Sequence, residues 1–170
     1  MPLAAAATPD ISERAVRLDQ TIQALKDETV ELTREAQAIE TDALIPEYER
    51  VSVYLGVGVR GLLLESVSVA IDDRAPEVYH YEEQDARALL AEHSLHRVLR
   101  TSVAPGPHRI RVSFTGRYAD DKPDAPPVTS SYEAIFDKDH REAELEFRIV
   151  RASRFGNETR LSMKQWRKRQ

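Results

Sequence analysis

Ile11, Ala15, Leu18, Ile22, Leu25, Thr29, Leu32, Ala36, Ile39 and Ala43 follow one another at alternating steps of four and three. That spacing holds one stripe on one side of an α-helix, and its period of about 3.5 residues is that of a coiled-coil seam. No Gly or Pro interrupts the run, so a helix is predicted over residues 11–45, about 50 Å long at ~1.5 Å per residue. Asp10 or Ser12 can cap it, since their side-chain oxygens accept from its first free N–H groups. Such a helix cannot cover its own stripe and needs a partner surface. In heptad terms, Ile11, Leu18, Leu25, Leu32 and Ile39 occupy d, whereas Ala15, Ile22, Thr29, Ala36 and Ala43 occupy a. The Ile22 and Leu25 layer is the pairing that parallel two-stranded coils favour. In a parallel dimer Arg14 would meet Asp19 of the other chain, but Glu35 would face Glu40, and small a residues bury little area. Two uses therefore stand: self-association, or packing on the chain's own domain or on a neighbouring protein's helices. Leu18, Ile22, Leu25, Leu32 and Ile39 are the candidate partner-binding residues.

Pro46 ends the helix, because the residue before a proline is pushed out of the α region. The period then changes to two. Val51, Val53, Leu55, Val57 and Val59 alternate with Ser, Tyr, Gly, Gly and Arg, and Val67, Val69 and Ile71 alternate with Ser66, Ser68 and Ala70. Both are half-buried strands. Glu77 to Tyr81 is a short extended piece, and Ala86, Leu89 and Leu90 are spaced for one inserted helix at 82–94. Leu95 to Val103 returns to β. The turn Ala104-Pro105-Gly106-Pro107 leads into Ile110, Val112 and Phe114. Residues 119–128 read as an exposed loop rich in Asp and Pro. Tyr132, Ala134 and Phe136 form one face of the next strand and Leu145, Phe147 and Ile149 of the one after, with Asp137 to Arg141 as a hairpin turn between them and Phe155-Gly156-Asn157 as a second turn. Together these predict a mainly β protein: an antiparallel β-sandwich of about seven strands over 46–166, carrying a long N-terminal coiled-coil-like α-helix.

Charge divides the chain more sharply than its total of -5 suggests. Residues 1–50 carry 5 basic and 11 acidic groups, whereas residues 141–170 carry 9 basic and 4 acidic, so an acidic helix and a basic end can attract one another within or between subunits. The basic tail 167–170 follows Trp166, an aromatic able to anchor at an interface and a sixth candidate partner-binding residue. Net negative charge and the lack of a recognition-helix motif argue against nucleic acid. The chain contains no cysteine, which excludes disulfides, thiolate metal sites and cysteine nucleophiles. Leu3 to Ala7 followed by Thr8-Pro9-Asp10 reads like the small-residue end of a secretion signal, so 1–10 is expected to be a disordered remnant of a signal or linker.

No catalytic constellation emerges. His80, His93, His96, His108 and His140 are scattered; His93 and His96 could share a helix face, but a metal needs a third ligand and outer support. Asp120, Asp121 and Asp124 lack the calcium-loop spacing. Gly56 and Gly58 lie within a strand rather than opening a helix, so they suit a bulge or close backbone approach, not a nucleotide loop. No nucleophile is spaced with a base and an orienting group, and no cofactor or metal is expected.

Two resemblances add to this reading. Val67-Ser-Val-Ala-Ile-Asp-Asp73 followed by Ala104-Pro-Gly-Pro-His-Arg-Ile-Arg-Val-Ser-Phe-Thr-Gly116 resembles the PEGA-type small β module, although Asp73 stands where that pattern has Gly and an acidic helix intervenes. Leu18 to Glu28, the Val53-Tyr-Leu strand, Tyr79-His-Tyr81 and the Gly106 to Gly116 strand together resemble exported Gram-negative envelope proteins, often labelled AraC-family regulators although they lack its DNA-binding domain. That resemblance implies a periplasmic or otherwise extracytoplasmic location and a helix-plus-sandwich plan, with no activity to transfer. The expectation is a non-enzymatic envelope scaffold or adaptor whose helix binds either a second copy, as a homodimer, or a protein partner. The alternative is a carbohydrate- or peptidoglycan-binding sandwich, for which Tyr79, Tyr81, Tyr118 and Trp166 are the candidate aromatics.

Overall fold

The computed structural model describes residues 11–122, 124–153 and 158–166. The chain divides after Leu44 into two compact units. The first is the helix α1, Ile11–Leu44, which ends where the sequence places Pro46. The expected remnant 1–10, the turn at Phe155 to Asn157 and the basic tail 167–170 lie outside the described residues.

The second unit is built from strands β1 (Arg50–Val57), β2 (Leu62–Ile71), β3 (Glu77–His80), β4 (His96–Ser102), β5 (Gly106–Tyr118), β6 (Val128–Lys138), β7 (Ala143–Arg151) and β8 (Thr159–Trp166), with the short helix α2 (Glu83–Ala88) between β3 and β4. They form two four-stranded sheets, ordered β4-β1-β7-β8 and β3-β2-β5-β6. Val51, Val53 and Leu55 of β1 and Leu145, Phe147 and Ile149 of β7 share one buried cluster with Val67, Val69 and Ile71 of β2 and Ile110, Val112 and Phe114 of β5. The period-two pattern thus turns one face of each sheet into a common core.

Three expectations are corrected. The described residues form eight strands, and the sheets are not wholly antiparallel: β1 and β7 pair in parallel, with Val53 opposite Leu145. Asp137 to Arg141 is not a hairpin turn, because β6 and β7 belong to different sheets. That segment is an inter-sheet corner, and Lys138 braces it. Its side chain is buried, and Nζ donates to the backbone carbonyls of Tyr48 at 2.6 Å, Asp139 at 2.7 Å and Arg141. All three ammonium donors are satisfied there, while burial pushes the group below its ordinary pKa. Finally, the inserted helix is shorter than 82–94. Past Ala88 the hydrogen bonds tighten to the i−3 type, Leu90 N to Arg87 O and Ala91 N to Ala88 O, and His93 turns into positive φ at 62°. Ala86 and Leu89 are nevertheless buried as the spacing required.

Gly56 in β1 and Gly58, which lies just past the end of β1 rather than within a strand, act through close approach. A Cβ on Gly56 would lie 2.9 Å from Leu95 Cδ2 and 3.1 Å from Ser94 O, and one on Gly58 would lie 3.0 Å from Ile149 O. The bulge in β1 falls instead between Val53 and Tyr54.

Candidate functional site

Helix α1 exposes the whole predicted seam that can be described. Leu18, Ile22, Leu25, Leu32 and Ile39 are 42–70% exposed, an unusual state for five large apolar side chains aligned on one face. Several of its polar side chains are satisfied within the helix. Thr21, Thr29 and Thr33 donate their hydroxyls to the carbonyls of Arg17, Leu25 and Thr29 at 2.7–2.8 Å, and Arg34 pairs with Glu31 at 3.3 Å. Thr29, the one hydroxyl at an a position, therefore leaves no unmet hydroxyl donor on the stripe.

Trp166, the sixth candidate, sits on the second unit beside a cleft of about 540 Å³ lined by Tyr48, His140, Glu142 and Gln165 among others. Alternation along β7 puts Glu144, Glu146 and Arg148 on the sheet face opposite the core, and antiparallel pairing sets Trp166 across from Glu144. The indole N–H donates to Glu146 Oε2 at 2.8 Å, the other Glu146 oxygen accepts from Arg148 at 3.0 Å, and Lys164 Nζ lies 3.7 Å from the indole centroid. Glu142 lies 3.8 Å from both Arg50 and Arg100. An exposed aromatic held by a carboxylate at the rim of a polar cleft can stack on an apolar ligand face while neighbouring groups take hydrogen bonds. Sequence reasoning found Trp166 but missed Tyr48, Glu142 and Gln165. The available signal was the alternation of Glu142, Glu144, Glu146 and Arg148 against the apolar residues of the same strand.

The remaining candidate aromatics do not join that cleft. Tyr79, Tyr81 and His96 form a cluster of their own, with ring centroids 4.6–5.5 Å apart. Tyr79 lies on β3 and His96 on β4, the edge strands of the two sheets, so the cluster ties one edge of the fold together. Tyr81 OH lies 2.9 Å from His96 Nδ1. Burial, followed by the neighbouring Tyr79 and Asp85, pushes the Tyr81 phenol up, while burial pushes His96 down. A neutral imidazole accepting from the phenol fits both directions. Tyr118 packs against the core.

The histidines are not brought together. His93 lies in a turn and His96 in a strand, so the expected shared helix face does not exist. His108 contacts Asp72 Oδ2 through Nδ1 and Ala104 O through Nε2, each at 2.7 Å. The His108 contact, then the Arg109 N–H, hold the Asp72 carboxyl below its usual range. Asp72 itself takes the left-handed backbone conformation, φ 54°, so this side-chain set pins a turn. Among the described residues no group of three or more His, Asp or Glu side chains is arranged to hold a metal ion, and no helix is long and apolar enough to cross a membrane. Comparison of the chain with protein-family models, curated proteins and solved structures finds no match.

Proposed function

We propose that this protein is a non-enzymatic scaffold or adaptor of the cell envelope, in which α1 is the association element and the two-sheet unit presents interaction surfaces. The observation that carries the reading is the 34-residue helix with its aligned, exposed Leu18, Ile22, Leu25, Leu32 and Ile39. In proteins most helical stability comes from packing an amphipathic face, and this stripe is the face that α1 offers. The envelope assignment rests on the resemblance of the helix, Val53-Tyr-Leu and Tyr79-His-Tyr81 segments to exported proteins.

Substituting Leu25→Asp tests the association role. It places an unpaired charge at the middle of the stripe, and desolvating that charge in an interface costs about 3 kcal/mol or more. The expected outcome is loss of the associated mass in light scattering with the thermal unfolding of the β unit unchanged. A lowered melting temperature with unchanged mass would instead mean that α1 serves its own chain's stability.

The Trp166 cleft favours a second reading, recognition of an envelope glycan. Sugar rings offer an apolar face to an indole and hydroxyls to groups such as Glu142 and Gln165. Titration with soluble peptidoglycan fragments should then give saturable binding that Trp166→Ala weakens at least about tenfold, since aromatic contacts carry much of such affinity. Equal affinity of variant and parent would remove this reading.

A further inference from the structure

We infer that the occupant of the α1 stripe over residues 11–36 is the α1 of a second copy, running antiparallel, in the register that sets Ile22 of each chain opposite Leu25 of the other. This deepens the association role proposed above and rests on it. The first argument is volume. The d positions carry large side chains, whereas Ala15, Thr29 and Ala36 make most of the a positions small. A parallel pair stacks a on a and d on d, so thin layers alternate with crowded ones. An antiparallel pair sets each a against a d of the other chain. In the inferred register Thr29 meets Leu18, Ala15 meets Leu32, and the two largest neighbours, Ile22 and Leu25, meet at the dyad. Thr29 suits this place because its hydroxyl is already bonded to Leu25 O at 2.7 Å.

Charge selects the register. The charged positions flanking the stripe, e and g, are Arg14, Asp19, Lys26, Glu28, Glu35, Glu40 and Asp42. Antiparallel helices bring g beside g and e beside e. With Ile22 opposite Leu25, Arg14 lies beside Glu35 and Asp19 beside Lys26 of the second copy, each twice by symmetry, and no like charges meet. Sliding one heptad to full overlap gains Arg14 with Asp42 but sets Glu28 against Glu28 and Lys26 against Lys26 across the dyad. Sliding a second heptad the same way sets Asp19 against Glu40 and Glu28 against Glu35, and sliding one heptad the other way gains Arg14 with Glu28 but sets Asp19 against Asp19 across the dyad. The parallel arrangement gains Arg14 with Asp19 but suffers Glu35 with Glu40. Among the described residues, Arg14, Asp19, Lys26 and Glu35 form no ion pair within the chain, so all four are available to a partner.

A charge swap on the full-length chain tests the register without touching the apolar stripe. Lys26→Glu converts two attractive contacts into two repulsive ones, and at low salt the dimer dissociation constant from sedimentation equilibrium should rise on the order of tenfold. Adding Asp19→Lys in the same chain re-creates both pairs with their signs exchanged and should restore the parent value. A parallel dimer predicts otherwise: Lys26 there faces Thr21, so the first substitution is nearly neutral, and the second brings the new lysine beside Arg14 and weakens the dimer. That pattern, or failure of the double variant to recover, overturns the inferred arrangement while leaving self-association intact. A parent chain that stays monomeric at every concentration overturns the arrangement and also the self-association arm of the proposed function.

Discussion

His96 shows how one residue's surroundings set a property that its sequence position does not. It begins β4, yet its ring lies against Tyr79 and Tyr81, and burial holds its pKa below the ordinary 6.5. Because the folded state binds its proton less readily than the unfolded chain, the His96 contribution to stability is complete above about pH 6.5 and is lost as the pH falls through the folded value. Thermal unfolding followed from pH 7.5 to pH 5 should therefore show the parent losing stability faster than a His96→Gln variant on the acid side. Parallel pH profiles for the two proteins would contradict this account. None of it was legible beforehand: the sequence marked Tyr79 and Tyr81 as candidate exposed aromatics and His96 as a possible helix partner of His93, because contacts between edge strands of different sheets leave no local pattern. Lys138 was equally silent, since a buried lysine bonded to three carbonyls is recognisable only once the corner it fills is known.

At the scale of the elements, periodicity carried most of the information. The change from steps of four and three to steps of two near Pro46 located both α1 and the first strand, and the inward positions Val51, Val53 and Leu55 are buried as the alternation requires. Pairing was not legible in the same way. Asp137 to Arg141 has the length and polarity of a hairpin turn, but such a segment suits a corner between sheets equally well. Only the register, with β1 beside β7 and β5 beside β6, separates the two. The parallel β1 and β7 contact joins strands that are distant in sequence, beyond the reach of any local rule. Gly56 in β1 and Gly58 just beyond its end show the middle case. Their composition pointed to a close approach, and the 2.9 Å and 3.0 Å distances at Gly56 and Gly58 bear that out, while the identity of the approaching groups, Leu95, Ser94 and Ile149, came from the fold.

At the scale of the whole molecule, the two units differ in how much of their apolar surface they bury. The β unit gathers its buried apolar residues into one cluster, whereas α1 leaves Val16, Leu18, Ile22, Leu25, Val30, Leu32, Ile39 and Leu44 exposed, and this contrast is the basis for proposing association through the helix. Amide hydrogen exchange of α1 in the full-length chain, measured across a dilution series, tests that assignment most directly. If the stripe is covered by a second copy, the amides around Ile22 to Leu25 should be strongly protected at high protein concentration and progressively exposed on dilution, while the β1 and β7 amides stay protected throughout. Protection of α1 that is independent of concentration, or rapid exchange at every concentration, would contradict the account.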